Sequence, residues 1–521
     1  MIGSPFEAPP RSLGTGRCAY WPDTCFLEVN ESPELVALFE KVNRGEAPEM
    51  NEATMEIMGV VAHENTHWIQ AAAFGSGIYQ ASLDQTATQL AESFLVLISP
   101  DIREQLFEQR SAGYPIVKMD KTGAIAEDVA VGPVASRIRR HWAGFRLLRR
   151  ALDSGVCPEG FRDRLDFYFG LAQLYFEIGD QVSTVALLPD EELRKQAFAR
   201  SPTDGISLFS DEPIPLATSA IAECAAVLDE HWLYAYHSEW CRRHGLSEES
   251  NRWWQRLDSS WTRREGTFYG DGFRVFGGMN PDLDLNDGRT LATLGIVCAL
   301  ALDGNFATTE QARVQWQHVY PPSRFRALSG AVKKVGTLPA ISTTALDPKD
   351  YSNWAARFCE AANLPIPTRQ HVITKDLTWF ESPVHDLTLM FRESYDAASQ
   401  LLALCPAAIV APSEAEVYLE ESLLTEPVSA YERARKAPLL ILNDEMSSLH
   451  YSTEKAERLG VSGIYQRLMI ELMCRTGPMT NDGRPPCAAG QVLARRSLAL
   501  AEDRLAFPLP PVIERLDQPV N

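Results

Sequence analysis

The chain has 521 residues, with 49 Lys+Arg against 69 Asp+Glu and a formal net charge of −20; 45% of its residues are hydrophobic and 23% charged. That length exceeds one ordinary domain, and that composition is globular, which excludes a disordered, collagenous or low-complexity chain. The acid surplus lacks the basic footprint that phosphate neutralisation needs, so neither a nucleic-acid partner nor attachment to an anionic membrane surface is expected.

The opening MIGSPFEAPPRSLG has no basic segment followed by an apolar run, so no signal peptide is expected. No stretch reaches the ~18 apolar residues of a membrane span. The ten cysteines are scattered without a CxxC pair, which removes the common zinc-knuckle and thioredoxin patterns and fits a reducing, cytoplasmic setting. A short extended piece is expected at Cys25–Val29, and Ser32-Pro33-Glu34 reads as a helix start. Asn51 caps a helix over 51–74, with Glu52 near its positive end and Gly75 past its stop. A further helix runs over 82–98 and is stopped by Pro100. Helical periodicity continues at 136–153, 159–180, 190–199, 216–243, 289–303, 351–362, 386–404, 413–422 and 464–475. The Gly-rich stretch 266–288 and the turn-rich stretch 337–350 read as loops, and the Pro-containing tail from 508 as loose. Strand-like runs are few, so the fold class is mainly α with minor β, divided near 330–350.

One segment carries chemistry. Val60-Val61-Ala62-His63-Glu64-Asn65-Thr66-His67-Trp68-Ile69-Gln70 contains H-E-x-x-H inside a predicted helix with apolar flanks. The two histidines are four residues apart, so their rings leave one face about one turn apart and can reach one metal. Glu64 beside them can take a proton from a water that the metal acidifies. Two histidines on a buried helix beside an acid are costly without such a partner. A catalytic zinc takes three protein ligands, and the metzincin third histidine is missing, since Ala73 stands in its place and Gln70 where its glycine would be. The third ligand is therefore a carboxylate on another helix. Glu92, in QTATQLAESFLVL, and Glu223, in LATSAIAECAAVLDEHW, both have suitable surroundings; the small residues around Glu223 allow close helix approach.

These residues resemble the gluzincin arrangement of zinc metallopeptidases, in which HExxH on one helix is completed by a Glu on a second, and more narrowly bacterial HExxH-x-x-Q proteins with an A-I-x-E-x-x-A helix downstream. The resemblance covers about residues 50–100 and 215–240 and implies one zinc ion held by His63, His67 and Glu223, with Glu64 as general base. It further implies a metallopeptidase-like catalytic domain, placed within residues 1–330, and a protein or peptide substrate; the turn-rich break sets off a helical C-terminal domain over 351–521. An oxyanion donor is also needed. The Glu223 helix offers Glu230 and His231 two turns on, with Tyr234, Tyr236 and His237 beyond; His231 is the catalytic candidate, although each of these residue types also packs ordinary helix interfaces. Gln70, one turn past His67, can orient a ligand or substrate, or cap backbone.

Other patterns carry less. Asp282–Gly288 begins like a calcium loop but has Asp287 at the glycine position and Thr293 in place of the closing Glu, so Asp287 reads as a helix cap. Gly270-x-Gly272 lacks the spacing of a nucleotide fingerprint. The arginines of 137–150 could meet an acidic partner or phosphate, but read first as a solvated basic face paired with surplus acids. Glu64-x-x-His67 is also the pair that helical di-iron sites use, but no other His has Glu three residues before it. A metal-bearing interaction protein without catalysis is the remaining alternative.

Overall fold

The computed structural model describes residues 51–112, 114–118, 131–157, 160–178, 182–202, 216–262, 268–306, 315–338, 348–367, 453–474, 488–507 and 509, with short pieces at 18–21, 26–29, 34, 37–38, 41, 439–442 and 446–447. It is mainly helical. In chain order the helices are α1 (Glu52–Ala73), α2 (Gly75–Leu97), α3 (Pro100–Ser111), α4 (Pro133–Ser154), α5 (Leu165–Ile178), α6 (Asp190–Ala199) and α7 (Thr218–Arg243). They continue with α8 (Ser247–Thr262), α9 (Asp271–Met279), α10 (Gly288–Leu302), α11 (Pro321–Val335), α12 (Pro348–Ala361), α13 (Thr453–Cys474) and α14 (Ala488–Leu505). Single turns and shorter pieces lie at Arg162–Arg164, Val182–Leu187, Phe268–Gly270 and Trp316–Val319.

A small sheet supplies the minor β component. Its strands are β1 (Cys18–Trp21), β2 (Phe26–Val29), β3 (Leu439–Leu442) and β4 (Met446–Ser447), in that order. β2, the extended piece expected at 25–29, pairs antiparallel with β1 and parallel with β3. The chain thus joins residues more than 400 apart in sequence across one register, Phe26 opposite Leu439.

The first long helix forms where its signals lie. The Asn51 side chain accepts from the backbone of Thr54 at 3.0 Å, as an N-cap should. The helix stops at Phe74, which is extended, and α2 begins at once with Gly75. Predicted to start at 82, α2 is longer because this corner tolerates no side chain. A Cβ on Gly75 would lie 2.1 Å from the Gly304 carbonyl oxygen, and one on Gly77 2.4 Å from that of Gln70. The glycines that read as a gap permit a tight corner. Pro100, read as a stop, is also the first residue of α3, with Ser99 as its cap. The stretch 266–288 is not one loop: Asp271–Met279 is helical, and a Cβ on Gly272 would lie 2.7 Å from that of Cys224 in α7. Packing against α7 overrides the poor helix propensity of its glycines. Asp287 caps α10, accepting from Thr290 at 3.2 Å. The helix start at Ser32-Pro33, the helices at 386–404 and 413–422, and almost all of the tail from 508 lie outside the described residues.

Two large apolar cores flank the middle of the molecule. One gathers Trp68, Ile69 and Phe74 of α1 with Ile221 and Leu228 of α7 and most of α10. The other gathers Leu90 and Phe94 of α2 with Trp142 and Leu148 of α4 and Phe169 of α5. Described residues on both sides of 330–350 share these cores: Phe358 and Leu459 enter the first, Leu468 and Leu505 the second. The arginines of α4 divide: Arg140 is exposed and Arg137 pairs with the exposed Asp190 at 2.6 Å, as a solvated face would, but the other side of the helix does not follow that reading. Arg139, Arg146 and Arg149 are buried, and both Arg146 and Arg149 donate to the buried Asp84 of α2, the second at 3.2 Å. Hydrophobic neighbours at the helical spacing pull these side chains inward, and Asp84 compensates their charge. No helix among the described residues is long and apolar enough to cross a membrane.

Candidate metal centre

α1 and α7 pack side by side in opposite directions, as their contacts show in order. Gly59 meets Tyr234, His63 meets Glu230 and Glu223, Thr66 meets Asp229, and Gln70 meets Ala222. Small residues on α7, among them the buried Ala220, Cys224 and Ala226, keep this helix thin enough for close packing on several sides. Glu223 is thereby carried into the interface, 3% exposed, and facing both histidines.

The three side chains converge on one point. His63 Nε2 lies 3.2 Å from Glu223 Oε2 and 3.2 Å from His67 Nε2, and His67 Nε2 lies 3.3 Å from Glu223 Oε2. The fit to an ion can be tested on these edges. Ligand atoms at ~2.0–2.1 Å from a tetrahedral centre stand about 3.3–3.4 Å apart, so the triangle is close to one face of such a tetrahedron. Its donors, two imidazole nitrogens and one carboxylate oxygen, are those of catalytic zinc sites. Among the described residues, His63, His67 and Glu223 are the group able to hold a metal ion.

The electrostatics point the same way. Burial alone would lower the His63 pKa, but its hydrogen bond to Glu223 and the nearby carboxylate of Glu230, with the charges of Glu223 and Glu64, push it up to about 10. His67 is likewise penalised by burial yet raised by the charge and hydrogen bond of Glu223, against the opposing charge of His63. Burial would raise Glu223, but the two imidazoles hold its carboxyl well below the usual carboxylate range. The cluster is a buried carboxylate in want of positive charge, which protons or a divalent cation can supply.

The outer faces of both imidazoles are held. His67 Nδ1 and Gln70 Oε1 are 3.1 Å apart, and Gln70 Nε2 donates to the Ala222 carbonyl at 3.0 Å. The second bond fixes the amide orientation, so Oε1 accepts from His67 Nδ1–H and Nε2 of His67 is left to face the ligand triangle. Gln70 therefore orients a ligand and caps backbone at once. His63 Nδ1 is buried without a hydrogen bond, and Glu230 Oε2 stands 3.7 Å away.

Glu64 is 2% exposed and lies outside the ligand triangle. Glu92 is not at the centre: it accepts from Arg504 of α14 at 2.6 Å, an ion pair joining α2 to the C-terminal helix. His231 is half-buried, about 80° round α7 from Glu223, whereas Glu230 falls within about 20° of it. Sequence reasoning missed Tyr269. It lies in the stretch read as loop, and its ring stands 6.3 Å from that of His63. The signal that points to it is Gly272, whose lack of a side chain brings this segment onto α7 beside Cys224.

These features define a mainly helical protein with a buried two-histidine, one-carboxylate group able to hold a metal ion. In comparison with known proteins, the chain matches no family model, no curated protein and no solved structure.

Proposed function

We propose that the chain is a zinc-dependent hydrolase of metallopeptidase type, built on the gluzincin pattern its motif resembles and acting on a protein or peptide. The observation that carries this reading is the triangle of 3.2–3.3 Å edges among His63 Nε2, His67 Nε2 and Glu223 Oε2. A zinc ion held there would supply a Lewis acid that polarises a carbonyl and lowers the pKa of a water toward ~7. Glu64 follows His63 directly, so it leaves α1 about 100° round from the first ligand and need not compete for the same position. As general base it takes the proton of the attacking water and, once protonated, gives it to the departing amine nitrogen. Tyr269, beside His63, is the side chain we assign to hold the developing oxyanion; His231, which leaves α7 about 80° round from Glu223, is the second candidate.

The same donor set also serves non-haem iron(II); zinc is proposed on the motif's resemblance to the gluzincin pattern. A di-iron centre would recruit Glu64 as a ligand, and the ligand group of this chain leaves it out. The test is metal analysis of the purified chain together with cleavage of a fluorogenic peptide library. One zinc per chain, with cleavage that Glu64→Gln abolishes, is expected. Zinc bound but full biological activity kept in Glu64→Gln would leave a structural metal site in place of an enzyme.

A further inference from the structure

We propose that Glu230 is a positioning residue for the metal ligand His63, held against it by the Tyr234 hydroxyl through the gap that Gly59 leaves in α1. The proposal rests on the metal-centre reading and extends it from the ligands to what aims them. Glu230 comes seven residues after Glu223, two turns along the same face of α7. One carboxylate oxygen, Oε2, stands 3.7 Å from His63 Nδ1, a nitrogen buried without a hydrogen bond. The other, Oε1, accepts from the Tyr234 hydroxyl at 3.1 Å. The guanidinium of Arg256 in α8 interacts electrostatically with that hydroxyl and reaches Glu56 of α1 at 3.5 Å.

Gly59 makes this arrangement possible. It sits one turn before His63 on the same face, and a Cβ there would lie 2.0 Å from the Tyr234 oxygen and 3.3 Å from Glu230 Cγ. A methyl group at 59 therefore cannot coexist with the observed Tyr234–Glu230 pair. Glycine in the interior of a helix is otherwise a liability, so its presence here marks the close approach. A carboxylate on the outer nitrogen of a ligating imidazole fixes the tautomer, directs the inner nitrogen at the ion and makes it a better donor. The two histidines then have different supports: the charged Glu230 behind His63, and the neutral Gln70 behind His67.

The test measures zinc affinity, by competition with a chromophoric chelator, for the full chain and for Glu230→Ala, Tyr234→Phe, the double variant and Gly59→Ala. Glu230→Ala should weaken zinc by about 10–100-fold, the usual effect of removing such a partner. Tyr234→Phe and Gly59→Ala should weaken it less. Because Tyr234 acts through Glu230, Tyr234→Phe should change nothing further once Glu230 is alanine. Melting in chelator reports any general loss of packing separately. If Glu230→Ala fails to fold, Glu230→Gln, of equal size and without charge, takes its place with the same direction expected. Zinc held by the Glu230 variant within threefold of the native value would overturn the proposal, as would an undiminished Tyr234→Phe effect in the double variant. A native chain that takes up no zinc would instead sink the metal-centre reading, and this proposal with it.

Discussion

Glu223→Ala and Glu92→Ala should part company in a way that only one ligand assignment allows. Glu223 is 3% exposed and bridges two imidazoles; removing it leaves two buried nitrogen donors 3.2 Å apart with no carboxylate among the ligands. Losing a direct ligand should cost at least as much as losing an outer partner, so zinc affinity should fall by 100-fold or more. At a buffered free zinc of 100 times the native dissociation constant, the native chain gains about 2.7 kcal/mol of stability from the ion. A 100-fold weaker site at that same zinc gains about 0.4 kcal/mol. The difference, about 2.3 kcal/mol, is roughly 2 °C of zinc-dependent melting shift, at about 1 °C per kcal/mol for a chain of this size. Glu92→Ala breaks a part-buried pair with Arg504, 2.6 Å long, and should lower melting with and without zinc alike, leaving the shift between the two unchanged. Metal stoichiometry after dialysis and differential scanning fluorimetry in zinc and in chelator read both effects. A full zinc shift in Glu223→Ala, or its loss in Glu92→Ala, would refute the assignment.

Glu64→Gln should keep one zinc and lower cleavage of any substrate found by roughly 10²–10⁴, the usual contribution of general acid–base catalysis; zinc lost as well would make Glu64 a ligand. In chelator, the raised His63 pKa stabilises the fold fully below 6.5, and that contribution is lost as pH rises through about 10. The depressed Glu223 contributes above 4.5, and that contribution is lost on acidification, so metal-free melting should be best supported between 4.5 and 6.5 and a melting series that rises steadily from pH 6.5 to 10 would contradict this. Zinc must displace the imidazole protons, so its dissociation constant should fall by about tenfold per pH unit where only His63 is protonated, and by up to about a hundredfold where His67 is protonated too, measurable by titration calorimetry over pH 6–8. Asp84→Asn strips the buried partner from Arg146 and Arg149 and should cost about 3–5 kcal/mol without altering zinc stoichiometry.

The ligand pair was legible because both histidines and the acid lie within five consecutive residues of one amphipathic helix, where helical geometry alone fixes their relation. Glu223 was legible for a different reason: an acid surrounded by alanines has no solvent to face and needs a partner. What that reasoning could not supply was its distance to the histidines, since helix pairing across 156 residues is a tertiary fact. Glu92 looked similar in sequence, with apolar neighbours on its own helix; the residue that answers it, Arg504, is 412 positions away. The support behind the ligands was harder to read. Gln70 stood out by its place on the ligand face, but Glu230 depends on Tyr234, and Tyr234 on the missing side chain of Gly59. Glycine inside a periodic apolar run signals close approach without naming what approaches. The helix Asp271–Met279, and with it Tyr269, was hidden because its glycines lower local propensity while serving the contact with α7.

The position of the centre bears on what a metal there would do for the fold. In small zinc domains the ion is the core, and removing it unfolds the chain. Here the ligand helices are already buried in apolar contacts that make no use of the ion: Trp68, Ile69 and Phe74 follow the motif along α1, and Ile221 and Leu228 bracket Glu223 on α7. Without metal, the buried carboxylate is answered by protons on the imidazoles, as the raised His63 and His67 pKa values record. Metal binding would then be an exchange of protons for a cation between helices already packed together, with little chain ordering to offset the gain. An ion not needed to hold two helices together would be free for chemistry, and on the proposed reading the buried Glu64 is the residue that a purely structural site would not need.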